Sequence, residues 1–533
     1  MTVHQRRRLM TVLALAGALV VSAIAASNAS AVLKKLPNGQ IVSYQPVNDA
    51  SSGVTPFDLT FQNMDYNGGP VMPSNTDYMF LWSPQGLSAY PDGFVFGIAR
   101  YFRDLAHDNG GNQNVDSVGP QYNDLTGAVA NYDVRFGGVL IDRHPYPASQ
   151  CPTNATVTNC LTDPQIQQEL VSFITAHHLP TDLSHEYYLL TPPHVASCFS
   201  GNPATNFDGC SADFPRPVGQ FCAYHQNTAT PTMVFYANMP FDATNPRCQD
   251  GNYPNGLISD GEINGGLSHE HMESVTDPIP NDAWTNGAGA LQGSEVGDQC
   301  NRNRGTPLGT APNGSPYNQV INGHFYWYQQ EWSNLTHSCV QRLTLPATLP
   351  TAQETVTAGS GTNMTFDASG SSAPGGVVDY TLQPNAVTNA PNIEQTTPVF
   401  NYMFPAAGAY STGLTVFNPD GLSAGTGGIV VTGENGFQPA FTVSQAGGHG
   451  RDAKTVTFSA LTTVSGQPVI SYLWEFGDGT TGSGATPTHT YHKPGTYTVT
   501  AVLFSGVGSA FPGAGAGPIY QQQVTVGNHH HEK

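Results

Sequence analysis

Basic side chains are scarce: 18 Lys and Arg stand against 38 Asp and Glu in 533 residues, a formal charge of −20 at pH 7. No basic cluster follows the first ten residues, which argues against nucleic acid or an anionic membrane as a partner. Long apolar runs are absent beyond the N-terminus, so no other stretch can span a bilayer. No C-x-x-C pair exists, which weakens a cysteine-zinc reading. Cysteine is also missing from everything after Cys339.

The one long apolar run, from Leu9 to about Ala26, follows Arg6, Arg7 and Arg8 and precedes Ala29-Ser30-Ala31. That order fits a signal peptide over 1–31 cleaved after Ala31, and so an exported protein that does not span the membrane afterwards. All eight cysteines fall between Cys151 and Cys339. In an exported chain they are expected to form up to four disulfides, Cys151 with Cys160 being the easiest pairing.

The length suits several domains. Residues 32–60 read as an extended arm. In 61–343, short apolar runs such as Tyr78–Trp82, Tyr187–Leu190 and Met233–Ala237 predict strands, and Phe94–Leu105 and 163–177 predict helices, the second with Asp163 as N-cap and Pro164 after it. The fold class expected for this part is a mixed α+β domain. A Pro/Thr linker follows residue 343, and strand-and-turn sequence fills 346–433 and 436–527 before a short tail at 528–533.

Residues 259–300 concentrate the chemistry. Ser259 with Glu262 reads as a capping box, and Pro278 stops the helix that follows, predicted over about 260–276. Two glycines, Gly265 and Gly266, weaken it. His269 and Glu273 are four apart and share a helix face, with Glu270 beside them. This is the spacing of the H-E-x-x-H zinc-peptidase helix with the second histidine replaced by Glu273. His271 points away, since a two-residue step turns about 200°. The expected site is one divalent metal, zinc favoured with manganese or calcium as alternatives, held by His269, Glu273 and Glu295, with Asp298 as the alternative third ligand and Glu270 as general base. His324, in the aromatic run 324–328, is a candidate oxyanion donor, and His225 a weaker one. The alternative is that His269, Glu270 and Glu273 merely decorate a helix.

The motifs SHEHMESVTDPIPNDAW, GSEVGDQC, YNGGPVM (66–72), FCAYH (221–225) and YANMP (236–240) resemble the EXORDIUM-like (phosphate-induced protein) family over about 60–340. The resemblance implies a secreted, metallopeptidase-like domain with a histidine-glutamate helix. Separately, 472–504 resembles a PKD-type immunoglobulin-like domain through Trp474, Phe476, Gly477, Asp478, Gly479, Tyr491, Pro494, Gly495, Tyr497 and Val499, and 346–433 looks like a divergent copy. The fold class is therefore a metallopeptidase-like α+β domain followed by two all-β immunoglobulin-like sandwiches. Two functions follow: a secreted zinc-dependent peptidase acting on protein or polymeric surface substrates, or a non-catalytic wall, matrix or adhesion protein whose ion is structural or absent.

Overall fold

Alternation along the strands decides which side chains meet which helix. In the computed structural model, Met79 and Leu81 enter one apolar core while Phe80 and Trp82 enter another, and Tyr188 with Leu190 and Tyr187 with Leu189 divide in the same way. Such a period of two with both faces buried means a sheet covered on both sides. The structure describes residues 33–35, 41–48, 63–151, 153–154, 156–202, 206–207, 209–215, 218–228, 233–286, 293–385, 392–445, 455–505 and 519–527. The leader read at 1–31 and the tail at 528–533 lie outside them, as does much of the arm read at 32–60.

The main sheet runs Val134–Asp142, Asn75–Trp82, His185–Leu190, Phe235–Met239, Gly219–Asn227, Cys210–Ser211, Val195–Cys198, Asn159–Thr162, with Ile41–Pro46 also paired to Gly219–Asn227. Its first four strands are parallel and Gly219–Asn227 is antiparallel to the fourth. Helix α1, Phe94–His107, covers one face with the helical segment 259–276. Helix α2, Asp163–Ala176, covers the other through Ile166, Leu170, Phe173 and Ile174. Its N-cap is Thr162, not Asp163, and Gln165 closes the capping box. Asp163 instead turns inward to accept from the hydroxyl groups of Tyr224 and Tyr236.

The expected helix over 260–276 forms, with two differences. Ser259 lies inside the first turn and does not cap it, because Glu262 is drawn off to the backbone N–H of Asp242 at 3.0 Å. Ile263–Leu267 widens to a π turn. Gly265 and Gly266 sit in that turn, and Gly266 is there for packing: a Cβ on it would stand 2.8 Å from the Cβ of Ala223. Gly266, which weakens the helix locally, is what lets it lie directly on the strand beneath.

Residues 355–438 form a three-stranded and a five-stranded sheet enclosing their own core, and 441–526 do the same. The protein is thus multidomain and mostly β, with few helices among the described residues. The sandwiches are not loosely tethered. Leu473, Val502 and Ile519 join the same core as Met64, Tyr66 and Trp284. The strand Asp65–Tyr66, paired to Trp284–Thr285, lies against the first sandwich, where the Tyr66 N–H donates to Thr415 Oγ1 at 2.8 Å.

Cys151–Cys160, Cys198–Cys210, Cys222–Cys248 and Cys300–Cys339 are bonded, and no cysteine is free. Reduction should therefore destabilise the cysteine-bearing part by roughly 2–5 kcal/mol for each bridge removed. Thermal unfolding with and without reductant measures this. A melting curve unchanged by complete reduction would show that the bridges do not support the fold.

Candidate metal centre

Residues 268–276 lie over the strand Gly219–Asn227, and the strand's alternation sets what it offers them. Tyr224 faces the α2 side, whereas Ala223 packs in the core beneath the site helix. His225, two residues on, shares the face of Ala223 and rises toward Glu270. From the other side comes the segment Ser294–Cys300. Cys300–Cys339, the bond from Gln329 Nε2 to the Gly297 carbonyl (2.9 Å) and the bond from the Trp332 N–H to the Val296 carbonyl (3.0 Å) hold it in place.

These three elements bring His225, His269, Glu270, Glu273, Glu295 and Asp298 together, all buried. His269 Nε2 lies 3.1 Å from Glu273 Oε1 and 3.6 Å from Asp298 Oδ1. His225 Nδ1 lies 3.1 Å from Glu270 Oε2 and 3.8 Å from Glu273 Oε2, and its Nε2 is 3.7 Å from Glu295 Oε2. Both nitrogens of His269, Glu273 Oε2, Asp298 Oδ1, Glu270 Oε1 and both oxygens of Glu295 make no hydrogen bond. Buried polar atoms are normally paired, so this concentration of orphans marks a place built for something else.

The chemistry of the donors fits a divalent cation. Two ligands about 2.0–2.2 Å from one ion stand about 2.8–3.6 Å apart at tetrahedral or octahedral angles, which both His269 distances satisfy. Four carboxyl groups face two imidazoles, so with every carboxyl ionised and both rings protonated the group would have two more negative charges than positive ones. The carboxyl groups answer accordingly. Burial, then the neighbouring Asp298, raises Glu273 to about 7, and burial followed by Glu273 and Asp277 pushes Glu295 well up. The imidazoles are raised as well: burial alone would lower His225, but its bond to Glu270 and the charges of Glu270 and Glu273 raise it to about 9. His269 is likewise raised well above its ordinary value against the opposing effect of burial, chiefly by Glu273.

His269, Glu273 and Asp298 form the ligand set that the geometry favours, with donor atoms all within 4.8 Å of one another. His225, Glu270 and Glu273 meet the same distance criterion, but His225 Nδ1 is already hydrogen-bonded to Glu270. Glu295 reaches the cluster yet faces His225, while Asp298 stands beside His269. His324 is not brought there. It is 41% exposed, with Nδ1 2.8 Å from Asp104 Oδ2, because the strand His324–Tyr326 pairs with Gln319–Ile321 at the surface. His271 points to the opposite side of the helix, as the two-residue step requires, and bonds Asp116 and the Tyr188 hydroxyl. The underrated residue is His225. Its signal was the alternation Ala223, His225 within FCAYHQN, readable only once that strand is known to lie under the helix.

Gly297 completes the cradle. A Cβ there would stand 2.8 Å from Glu273 Oε1 and 3.0 Å from His269 Nδ1. Gly297→Ala should displace one of the two and lower zinc affinity by about 10–100-fold, the scale of losing a supporting group around a ligand. Competition with a chromophoric chelator would read this, and an unchanged affinity would mean the ion does not sit between these residues.

The class is set by the C-terminal part: residues 439–510 match the PKD domain family, so this is a multidomain, mostly β chain carrying a PKD domain. Among particular proteins, a 31-residue stretch is 71% identical to collagenase ColA of Bacillus cereus, covering 6% of this chain and only 3% of the collagenase. The PKD1 domain of the Vibrio cholerae metalloprotease PrtV is 29% identical over 16% of this chain and 90% of that domain, with a TM-score of 0.13. OgpA from Akkermansia muciniphila is 12% identical over 71% of this chain and 98% of that one, with a TM-score of 0.23. No helix among the described residues is long and apolar enough to cross a membrane.

Proposed function

We propose that the chain is an exported, divalent-metal-dependent hydrolase acting on peptide bonds. The observation that carries this reading is the buried, carboxyl-rich cluster of unpaired donor atoms around His269, Glu273 and Asp298, with Glu270 beside it and outside the ligand set. A divalent ion, zinc favoured with manganese or calcium as alternatives, supplies Lewis acidity toward a carbonyl oxygen and toward water. Glu270 has the features of a general base: Oε2 is occupied by His225, and Oε1 makes no hydrogen bond and is free to accept a proton. Resemblance to EXORDIUM-like proteins over 60–340 supports the histidine-glutamate helix. The PKD domain, of a kind also present in a metalloprotease, supports an extracellular protein or polymeric substrate, as do the disulfides an exporting compartment.

One observation favours the second reading, a wall, matrix or adhesion protein with a structural ion: His225, His269, Glu270 and Glu273 are all 0–1% exposed. Elemental analysis of the purified protein, followed by cleavage assays on a reduced, alkylated protein and a peptide library after zinc loading, separates the two. Bound metal with cleavage supports the hydrolase, and bound metal without cleavage supports the scaffold. Absence of zinc, manganese and calcium would end both metal readings.

A further inference from the structure

We infer that His225 is the positioning residue for Glu270, a link that runs from the turn after the site helix, through the sheet, to the base. This rests on the hydrolase reading above. His225 is anchored by its strand: it stands opposite Ala237 on one neighbour and Ser43 on the other, so its backbone is fixed from both sides. Its ring then bridges two acceptors. Nε2 lies 3.2 Å from the Asp277 carbonyl oxygen and Nδ1 3.1 Å from Glu270 Oε2.

A carbonyl oxygen can only accept, so Nε2 carries a hydrogen. Nδ1 stands at hydrogen-bond distance from Glu270 Oε2, so the one ring joins the Asp277 carbonyl to the Glu270 carboxyl group. The Asp277 end does not drift, because its carboxylate accepts from the backbone N–H groups of Asn281, Asp282 and Ala283. A glutamate has three side-chain torsions to lose on being held in one place. With Oε2 tied to His225, rotation of Glu270 is stopped and Oε1 is the oxygen presented to the cluster. His225 stands near enough to Glu273 to share an ion, but its Nδ1 is engaged by Glu270, and the role we assign to the ring is to hold the base.

Three variants separate holding from mere packing. In His225→Asn the amide Nδ2 takes the place of ring Nδ1 and still reaches Glu270. In His225→Gln the amide follows ring Nε2 and reaches only Asp277. His225→Ala reaches neither. With zinc loaded and fold checked by circular dichroism, kcat should fall by about 10–100-fold in the Gln and Ala variants with KM and zinc content unchanged, and the Asn variant should recover most of the loss. Should the Ala variant not fold, the contrast between Asn and Gln still decides. Nitrogen NMR of the imidazole supplies a readout independent of turnover: Glu270→Gln should shift the Nδ1 resonance far more than that of Nε2. Equal kcat in the Asn and Gln variants, or an Nδ1 resonance indifferent to Glu270→Gln, overturns the link. A shifted Nδ1 in a wild type that cleaves nothing would keep the contact, and would overturn both its catalytic role and the hydrolase reading.

Discussion

Glu270→Gln should keep the fold and the bound zinc and lose turnover by about 10²–10⁴-fold, the range expected when a general base is removed. The substitution preserves size and still offers His225 an amide oxygen, so the contact at Oε2 survives in neutral form. What disappears is the basic oxygen at Oε1, which has no partner in the protein. Zinc content should be unaffected because the favoured ligands are His269, Glu273 and Asp298, and Glu270 is not among them. Glu273→Ala is the control with the opposite signature, losing the metal first. Measurement requires matched zinc loading of both proteins and cleavage of an unfolded chain. Equal rates in wild type and Glu270→Gln would mean that Glu270 is no catalytic base.

A chain cut after residue 345 should be strongly destabilised. The sequence suggests separable modules joined by a Pro/Thr linker, but the packing does not. Removing 346–533 strips Leu473, Val502 and Ile519 from the core they share with Met64, Tyr66 and Trp284. It also removes the bonds Thr415 makes to Tyr66, Ser423 to Asn334 and Glu475 to Leu183. Three aliphatic side chains at about 1.5–3 kcal/mol each amount to roughly 5–9 kcal/mol before the polar contacts are counted. That is comparable with the whole stability of a typical domain, about 5–15 kcal/mol. The truncated chain should lose its cooperative transition or melt more than about 10 °C lower. Gly425→Val tests the same seam within the full chain, because a Cβ there runs into the ring of Tyr66. If 1–345 melts with an unchanged midpoint, the seam contributes nothing and the tethered picture stands.

Much was legible without coordinates, where local chemistry is decisive. Helix α1 and the helix bearing His269 follow from apolar spacing and proline punctuation. The shared face of His269 and Glu273, and the turning away of His271, follow from 100° per residue alone. Cys151–Cys160 follows from closeness in sequence, and the PKD pattern from the aromatic and glycine positions of one β-sandwich.

Tertiary structure decided what depends on pairs far apart in sequence. Whether Asp298 or Glu295 stands beside His269 turns on how a disulfide, Gln329 and Trp332 seat one loop, and neither spacing nor composition carries that. His225 became part of the site because a strand 45 residues before Glu270 passes beneath it, while His324, chemically as suitable, was led to the surface by its own hairpin. Composition even pointed the wrong way at Gly266, which costs helix propensity locally and returns it as close approach to Ala223. The sequence by itself determined which side chains could carry charge and share a helix face, since those properties are set within a few residues. Only the fold determined which of them met, because burial removes water from buried charges and leaves each one dependent on whatever partner the packing supplies.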